Sequence, residues 1–319
     1  MAQSAPNRFQ ILALSGGGYR GLFGAEFLAA CESKFSIRCN NRFDIISGTS
    51  IGALLAAGLS ASVPATTLAA TIKDYGPSIF ARGITTSVKQ LVIAAPYSPA
   101  PILEAIRKTL GKPVAATLLS DYDAPLIITA VNYSTGETSV FRSKGIAGKA
   151  ASAVSIEDAI LASAAAPTFF PTKKIGPSEY IDGGLVANAP DMIALLDAVN
   201  FSHARMEEIY QLSIGTASRR QGSAVHEKSR APGSFSWIAR RGLIQTIMAA
   251  QEHLVLSQMS SLLRNRFLRI DEEPAQNQVE AIKSLDLASP EATQTLQLLA
   301  GKAWEVHKAA RPLRDFFVR

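Results

Sequence analysis

The sequence predicts an α/β fold in which a mostly parallel sheet is covered by helices on both faces. Three observations carry that expectation. Short apolar runs alternate with helical patterns through the N-terminal half of the chain. Hydrophobic residues make up 47% of the 319 and charged ones 18%, enough for a large core and too apolar for disorder. No internal repeat and no low-complexity linker divides the chain, so residues 1–319 are expected to form one domain with a C-terminal helical elaboration over 216–319.

Each element follows from its local pattern. Gln10–Leu14 reads as a buried strand and Gly21–Lys34 as the helix after it. Phe43–Ile46 is the next strand, and Ser50–Leu59 a helix that starts directly behind it. Pro125–Val131 and Ile209–Ile214 are further buried strands, while Thr138–Arg142 alternates apolar and polar residues as an antiparallel strand does. Ile156–Ala165 and Asp191–Val199 carry helical spacing. Trp237–Leu263 is expected to put Ile244, Ile247, Met248, Leu254, Val255 and Leu262 near one buried face, and Thr293–His307 does the same with Leu296, Leu299, Ala300, Ala303 and Trp304. Ala217–Ser236, rich in Ser, Gly, Arg and Gln, reads as an irregular connection.

A net charge of +6 favours anionic partners: phospholipid surfaces, nucleotides or nucleic acid. No zinc-finger, helix-turn-helix or aromatic-basic pattern appears, so a nucleic acid polymer is not an expected partner. The apolar run Ile11–Leu14 is too short for a signal peptide, and no run of ~20 apolar residues suggests a membrane span. Cys31 and Cys39 have neither metal-ligand spacing nor a disulfide framework and read as free thiols in a reducing cytoplasm. No metal site is expected.

Three motifs carry chemistry. Gly48-Thr49-Ser50-Ile51-Gly52 matches a nucleophile elbow, a serine in a tight strand-to-helix turn where flanking glycines let backbones approach closely. Ser15-Gly16-Gly17-Gly18-Tyr19-Arg20-Gly21 follows the first strand and opens the first helix, and its bare amides suit a cradle for a phosphate or a developing oxyanion. Gly16, Gly18 and Gly21 also satisfy a dinucleotide-binding pattern. The second strand, however, ends in Ser50 and not in the acidic residue such a fold needs, which favours the oxyanion. Tyr180-Ile181-Asp182-Gly183-Gly184 places an aspartate in an open glycine turn at a strand end.

In this order the three blocks resemble the patatin-like phospholipase family. So do Ala162–Pro171 before the aspartate and Gly184–Pro190 after it, and the match spans about residues 9–215. The resemblance implies a three-layer α/β/α fold and a Ser-Asp dyad without a catalytic histidine. Carried over by position, Ser50 is the nucleophile and Asp182 its base, while the amides of Gly16, Gly17, Gly18 and Ile51 form the oxyanion hole. Arg20, Gly48, Gly52, Gly183 and Gly184 support them, and catalysis requires no cofactor. His203 follows Asp182 in the order a Ser-Asp-His triad needs, but it stands in no glycine or strand-end context, nor do His226, His253 and His307. A lysophospholipase or acyltransferase of the same chemistry, and a non-catalytic lipid- or nucleotide-binding module, are the competing readings.

Substrate and control are less marked. Between Asp74 and Glu104 the chain has no acidic residue; Arg82 and Lys89 stand among apolar residues and four prolines, as a lid or membrane-contacting face would have them. The chain also resembles bacterial patatin-like effectors of anti-phage defence switched on by cyclic dinucleotides. Arg219, Arg220, Arg240 and Arg241, or Arg264 and Arg266, are then the expected activator site. Expected partners are membrane phospholipid as substrate, a cyclic dinucleotide and a second copy of the chain. The expected location is the cytoplasm, at the inner membrane when active.

Overall fold

The structure, a computed structural model, describes residues 8–81, 95, 97–218 and 243–318. Among these, one sheet holds eight strands: β1 (Phe9–Leu14), β2 (Ile45–Thr49), β3 (Leu126–Asn132), β4 (Glu137–Arg142), β5 (Lys173–Ile175), β6 (Ser178–Asp182), β7 (Ile209–Ile214) and β8 (Phe267–Ile270). The helices that build the site and its packing are α1 (Gly21–Phe35), α2 (Ile51–Ser60), α3 (Ala65–Ile79), α4 (Ala100–Leu110), α5 (Ile156–Ser163), α6 (Gly184–Ala187), α7 (Asp191–Asn200), α8 (Leu243–Leu263) and α9 (Pro290–His307).

The sheet is mixed. Strands β3, β2, β1, β7 and β8 lie side by side and parallel, whereas β4, β5 and β6 are antiparallel additions at the β3 end. Side chains on successive strand positions point to opposite faces, and the core divides accordingly. Leu12, Ile46, Ile128 and Leu212 pack with Phe23, Phe27, Leu55, Leu68 and Leu296 of α1, α2, α3 and α9. Their neighbours Ile11, Ile45, Ile127 and Ile209 pack with Ala194, Leu195 and Ala198 of α7 and with Met259 and Leu263 of α8. The expected three layers follow from this alternation.

One detail of the pairing positions the site. β4 occupies one edge of β3 from Ile127 to Asn132, so β2 and β6 divide the other edge. Thr49, the last residue of β2, pairs with Thr129, and Asp182, the last residue of β6, pairs with Ala130. Two segments more than 130 residues apart in sequence thus end at adjacent positions of one strand.

The structure moves some expected boundaries. β2 runs on through Gly48 to Thr49, because Gly48 presents no side chain and the Thr49 hydroxyl is satisfied inside, by Thr129 Oγ1 and the Ala187 carbonyl, each at 2.6 Å. α9 begins at Pro290, capped by Ser289, whose Oγ accepts the Ala292 N–H at 3.1 Å. The apolar face expected for α8 is corrected. Ile247, Leu254 and Leu262 are 47%, 57% and 48% exposed, and the buried residues are Glu252, Met259 and Leu263. A glutamate interrupts the inward stripe, so apolar spacing alone selects the wrong side of the helix. The basic segment around Arg82 and Lys89, and Arg219, Arg220, Arg240 and Arg241, lie outside the described residues.

Candidate active site

Ser50 sits at the N-cap of α2 with φ 56° and ψ −121°, a left-handed conformation rare for a residue with a side chain. The glycines two positions to either side allow it. A Cβ on Gly48 would lie 2.0 Å from the Gly52 carbonyl oxygen, and one on Gly52 would lie 2.2 Å from that of Leu14. Neither position admits another residue without moving backbone. The turn thus projects the serine beyond the sheet, with the first amides of α2 beside it.

Asp182 is buried, 4% exposed, at the end of β6. Its Oδ1 accepts the Gly184 N–H at 2.6 Å, and the Ser50 side chain stands beside the same carboxylate at the cleft. Burial pushes the carboxyl from its ordinary 3.8 up to about 6, while the Gly184 N–H and the Ser50 side chain hold it from rising further. That value leaves the group mostly ionised at neutral pH yet basic enough to accept a proton.

The C-terminal end of α5 ties serine and aspartate together. Ser163 Oγ accepts the Ser50 N–H at 2.7 Å, the Ser163 carbonyl accepts the Gly183 N–H at 3.3 Å, and the Ala165 carbonyl accepts the Asp182 N–H at 3.0 Å. Ser163 lies within the Ala162–Pro171 block, but nothing in that run of small residues singles it out.

In the glycine block the amides divide. Ser15 N–H donates to the Ile214 carbonyl, Gly16 N–H to that of Asn188 and Tyr19 N–H to that of Leu285. Gly16 is therefore corrected from oxyanion donor to support. The amides of Gly17 and Gly18 have no acceptor among the described residues, and Ile51, first residue of α2, offers the same kind of free N–H. Gly18 adopts φ +56°, and a Cβ there would lie 2.2 Å from the Leu285 carbonyl oxygen. Arg20 does not line the cleft: it is half-buried, and burial lowers its pKa against the pull of the Glu252 and Asp271 charges.

A narrow cleft opens onto Gly17, Gly18, Ser50 and Asp182. Its walls are apolar: Leu54, Ile72, Ile79, Ile102, Ile160, Phe169 and Phe170 from the first two thirds, and Ile244, Met248 and Leu285 from the last. No histidine lines it among the described residues. His203 precedes the start of β7 while Ser50 follows the end of the parallel β2, which puts them at opposite ends of the sheet. No cluster of metal-ligating side chains exists among the described residues.

The family model described as patatin-like phospholipase matches residues 12–195. The chain belongs to the patatin-like phospholipase family. A cGAMP-activated phospholipase of Pseudomonas aeruginosa is 32% identical over 314 residues, covering 96% of this chain and 90% of the relative. Proteins of the same description from Escherichia coli and Vibrio cholerae are 30% and 28% identical, covering 98% of this chain and 93% and 95% of their own lengths. Membership makes the chain a lipid ester hydrolase. The resemblance read from the motifs stops near residue 215, whereas these relatives align through the last third as well, the part that supplies Met248 and Leu285 to the cleft.

Arg264 and Arg266 are separated by the structure. Arg264 is exposed, but the Arg266 guanidinium caps backbone carbonyls, those of Met206 and of Ile209, the latter at 3.0 Å. The buried Cys31 and Cys39 are free thiols. No helix among the described residues is long and apolar enough to cross a membrane.

Proposed function

We propose that the chain is a serine acyl hydrolase of membrane phospholipids, working through a Ser50–Asp182 dyad and an acyl-enzyme, and activated by a cyclic dinucleotide. The placing of Ser50 and the buried Asp182 on one cleft, beside the unpaired amides of Gly17 and Gly18, is the observation that carries the chemistry. Ser50 Oγ attacks the ester carbonyl as Asp182 takes its proton. The carbonyl oxygen, now negative, is received by the N–H groups of Gly17, Gly18 and Ile51. The intermediate collapses, the C–O bond to the glycerol breaks, and Asp182 returns the proton to the leaving alkoxide. Water then attacks the acyl-enzyme with Asp182 again as base, releasing the fatty acid and restoring Ser50.

The apolar cleft suits a hydrocarbon chain with its carbonyl at Ser50. Activation by cGAMP is supported by the description shared by the three relatives. With Arg266 engaged on carbonyls, Arg264 is the described arginine left to the proposed activator site, beside Arg219, Arg220, Arg240 and Arg241. The enzyme is proposed to act from the cytoplasm on the inner membrane, with a second copy of the chain as a further proposed partner.

The test is hydrolysis of phospholipid vesicles by wild type and Ser50→Ala, each with and without cGAMP, with products identified by mass spectrometry. Free fatty acid and lysophospholipid from wild type, absent with Ser50→Ala and raised at least about tenfold by cGAMP, are expected. Equal hydrolysis by Ser50→Ala overturns the dyad, and equal wild-type rates with and without cGAMP overturn the activation.

A further inference from the structure

Outside the cleft, a buried polar cluster from the last third of the chain grips the glycine block. Glu252 of α8 is at its centre. Its Oε1 accepts the Ser15 hydroxyl at 3.2 Å and Arg269 Nη2 at 2.6 Å, and its Oε2 accepts the Asn188 side-chain N–H at 2.7 Å. Arg269, in β8, also donates from Nη1 to the hydroxyls of Ser15 and Ser213, each at 2.9 Å, and from Nη2 to Asp271 Oδ2 at 2.8 Å. Glu252 and Arg269 are only 12% and 15% exposed at their side chains.

Asn188 is what this cluster holds. Its carbonyl receives the Gly16 N–H at 2.9 Å, and its own N–H donates to Gln251 Oε1, the residue beside Glu252, at 3.0 Å. Its side-chain oxygen is wedged between the two catalytic blocks. A Cβ on Gly16 would come within 2.6 Å of Asn188 Oδ1, and one on Gly184 within 3.0 Å. Glu252 therefore fixes Ser15 directly and Gly16 through Asn188, the two residues before the unpaired amides of Gly17 and Gly18. The same side chain reaches the aspartate turn through the wedge.

A buried ion pair gives little net stability compared with apolar packing of the same volume, but it imposes a defined geometry. Catalysis by fixed donors is sensitive to displacements of about 1 Å. We propose that Glu252, held by Arg269, is a positioning residue that sets the oxyanion amides of Gly17 and Gly18 relative to Ser50, by way of Ser15 and Asn188. The inference rests on the dyad reading above. It gives the last third of the chain a catalytic purpose, because α8 places Met248 against the substrate cleft and Glu252 against the amide loop.

The experiment uses the full chain, with and without cGAMP, and measures kcat and KM on a short-chain water-soluble ester together with the rate at which a fluorophosphonate labels Ser50. Glu252→Gln keeps the size but turns one acceptor into a donor. It is expected to lower kcat and the labelling rate by about 10- to 100-fold, with KM within about twofold. In an Asn188→Ala background the same substitution is expected to cost less than in the wild type, because the route to Gly16 is already cut and only the direct bond to Ser15 is left to lose. Arg269→Lys should lower kcat in the same direction by a smaller factor. Wild-type kcat and labelling in a cooperatively melting Glu252→Gln protein overturn the inference, as do losses that multiply fully in the double variant. If Glu252→Gln does not fold, Arg269→Lys carries the same outcomes, unchanged kcat and labelling overturning the inference. With Ser50→Ala as control, an inactive Ser50→Ala beside a fully active Glu252→Gln sinks the positioning role alone, and an active Ser50→Ala sinks the dyad reading beneath it.

Discussion

The two sides of the glycine block contrast sharply. Toward the cleft, Gly17 and Gly18 present amides without acceptors among the described residues and apolar walls around them. On the other side, Ser15, Asn188, Glu252, Arg269 and Asp271 bind one another through closely spaced charged hydrogen bonds. The difference teaches how a chain keeps donors unsatisfied. A loop free to relax would turn its amides toward water or a nearby carbonyl, so the geometry must be over-determined from behind. Arg269 shows how strong that backing is: burial works against its charge, but Asp271, Glu252 and Asp191 outweigh burial and raise its pKa.

The largest effect should come from the cleft side. Ser50→Ala and Asp182→Asn are each expected to lower kcat/KM by about 10³-fold or more, since each removes a member of a unit that acts together. Ala substitutions of His203, His253 and His307 should leave most activity. Steady-state kinetics on a chromogenic ester checks both. Full activity in Asp182→Asn, or its loss in a folded His203→Ala protein, would break the contrast by moving the base elsewhere.

Next in size is the block itself. Gly18→Ala meets the Leu285 backbone carbonyl at 2.2 Å and needs φ +56°, whereas Gly17→Ala meets only the Thr216 side chain, at 2.6 Å. Rotation of Thr216 moves its Oγ1 and Cγ2 but not its Cβ, at 2.7 Å, so Gly17→Ala needs a small backbone shift, whereas Gly18→Ala meets a carbonyl bonded to Tyr19 N–H and a strained φ besides. Gly18→Ala is expected to cost about 100-fold in kcat and Gly17→Ala about tenfold, compared at equal folded fraction by circular dichroism. The reverse order would show that the Thr216 side is the rigid one.

A smaller effect concerns pH. In the proposed dyad Asp182 has to be ionised to accept the serine proton, and burial raises its pKa to about 6. The kcat/KM profile is expected to be flat above about pH 7 and to fall about tenfold per pH unit well below 6, where the protonated form dominates. A profile that keeps rising between pH 7 and 9 would point to a base other than Asp182.

How much of this was legible in the sequence depends on distance along the chain. β1, β2, β3 and β7 are buried on both faces and read as apolar runs. β6, whose Ser178, Glu179, Tyr180 and Ile181 are only half-buried, and β8, with Arg269 inside it, leave no such trace. Ser50 and Asp182 stand out because glycines flank them and local backbone demands those glycines. The arrangement that joins them, β2 and β6 dividing one edge of β3, has no sequence signature at all. Glu252 was hidden for a related reason. It faces inward only because Arg269, Ser15 and Asn188, 17, 237 and 64 residues away, come to meet it, and no single-helix pattern encodes that.

The smallest expected effect is thermodynamic, and it separates the two sides by charge. The back of the block pairs its carboxylates with cations, whereas Asp182 pairs with no cation among the described residues and accepts the Gly184 N–H, so its burial disfavours ionisation in the folded state. With a folded pKa of about 6 against an ordinary 3.8, the folded protein binds the proton more tightly than the unfolded one. The contribution of this group to stability is therefore fully present below about pH 3.8 and is lost as pH rises through about 6, reaching at most about 3 kcal/mol by pH 8. Asn at this position carries no such penalty at any pH. Asp182→Asn is thus expected to gain stability relative to wild type between pH 4.5 and pH 8, by about 1–3 kcal/mol in urea unfolding, while losing activity. A difference between the two proteins that stays constant across that range would mean that Asp182 is not held at a cost, and that the strain for catalysis resides in the Ser50 turn alone.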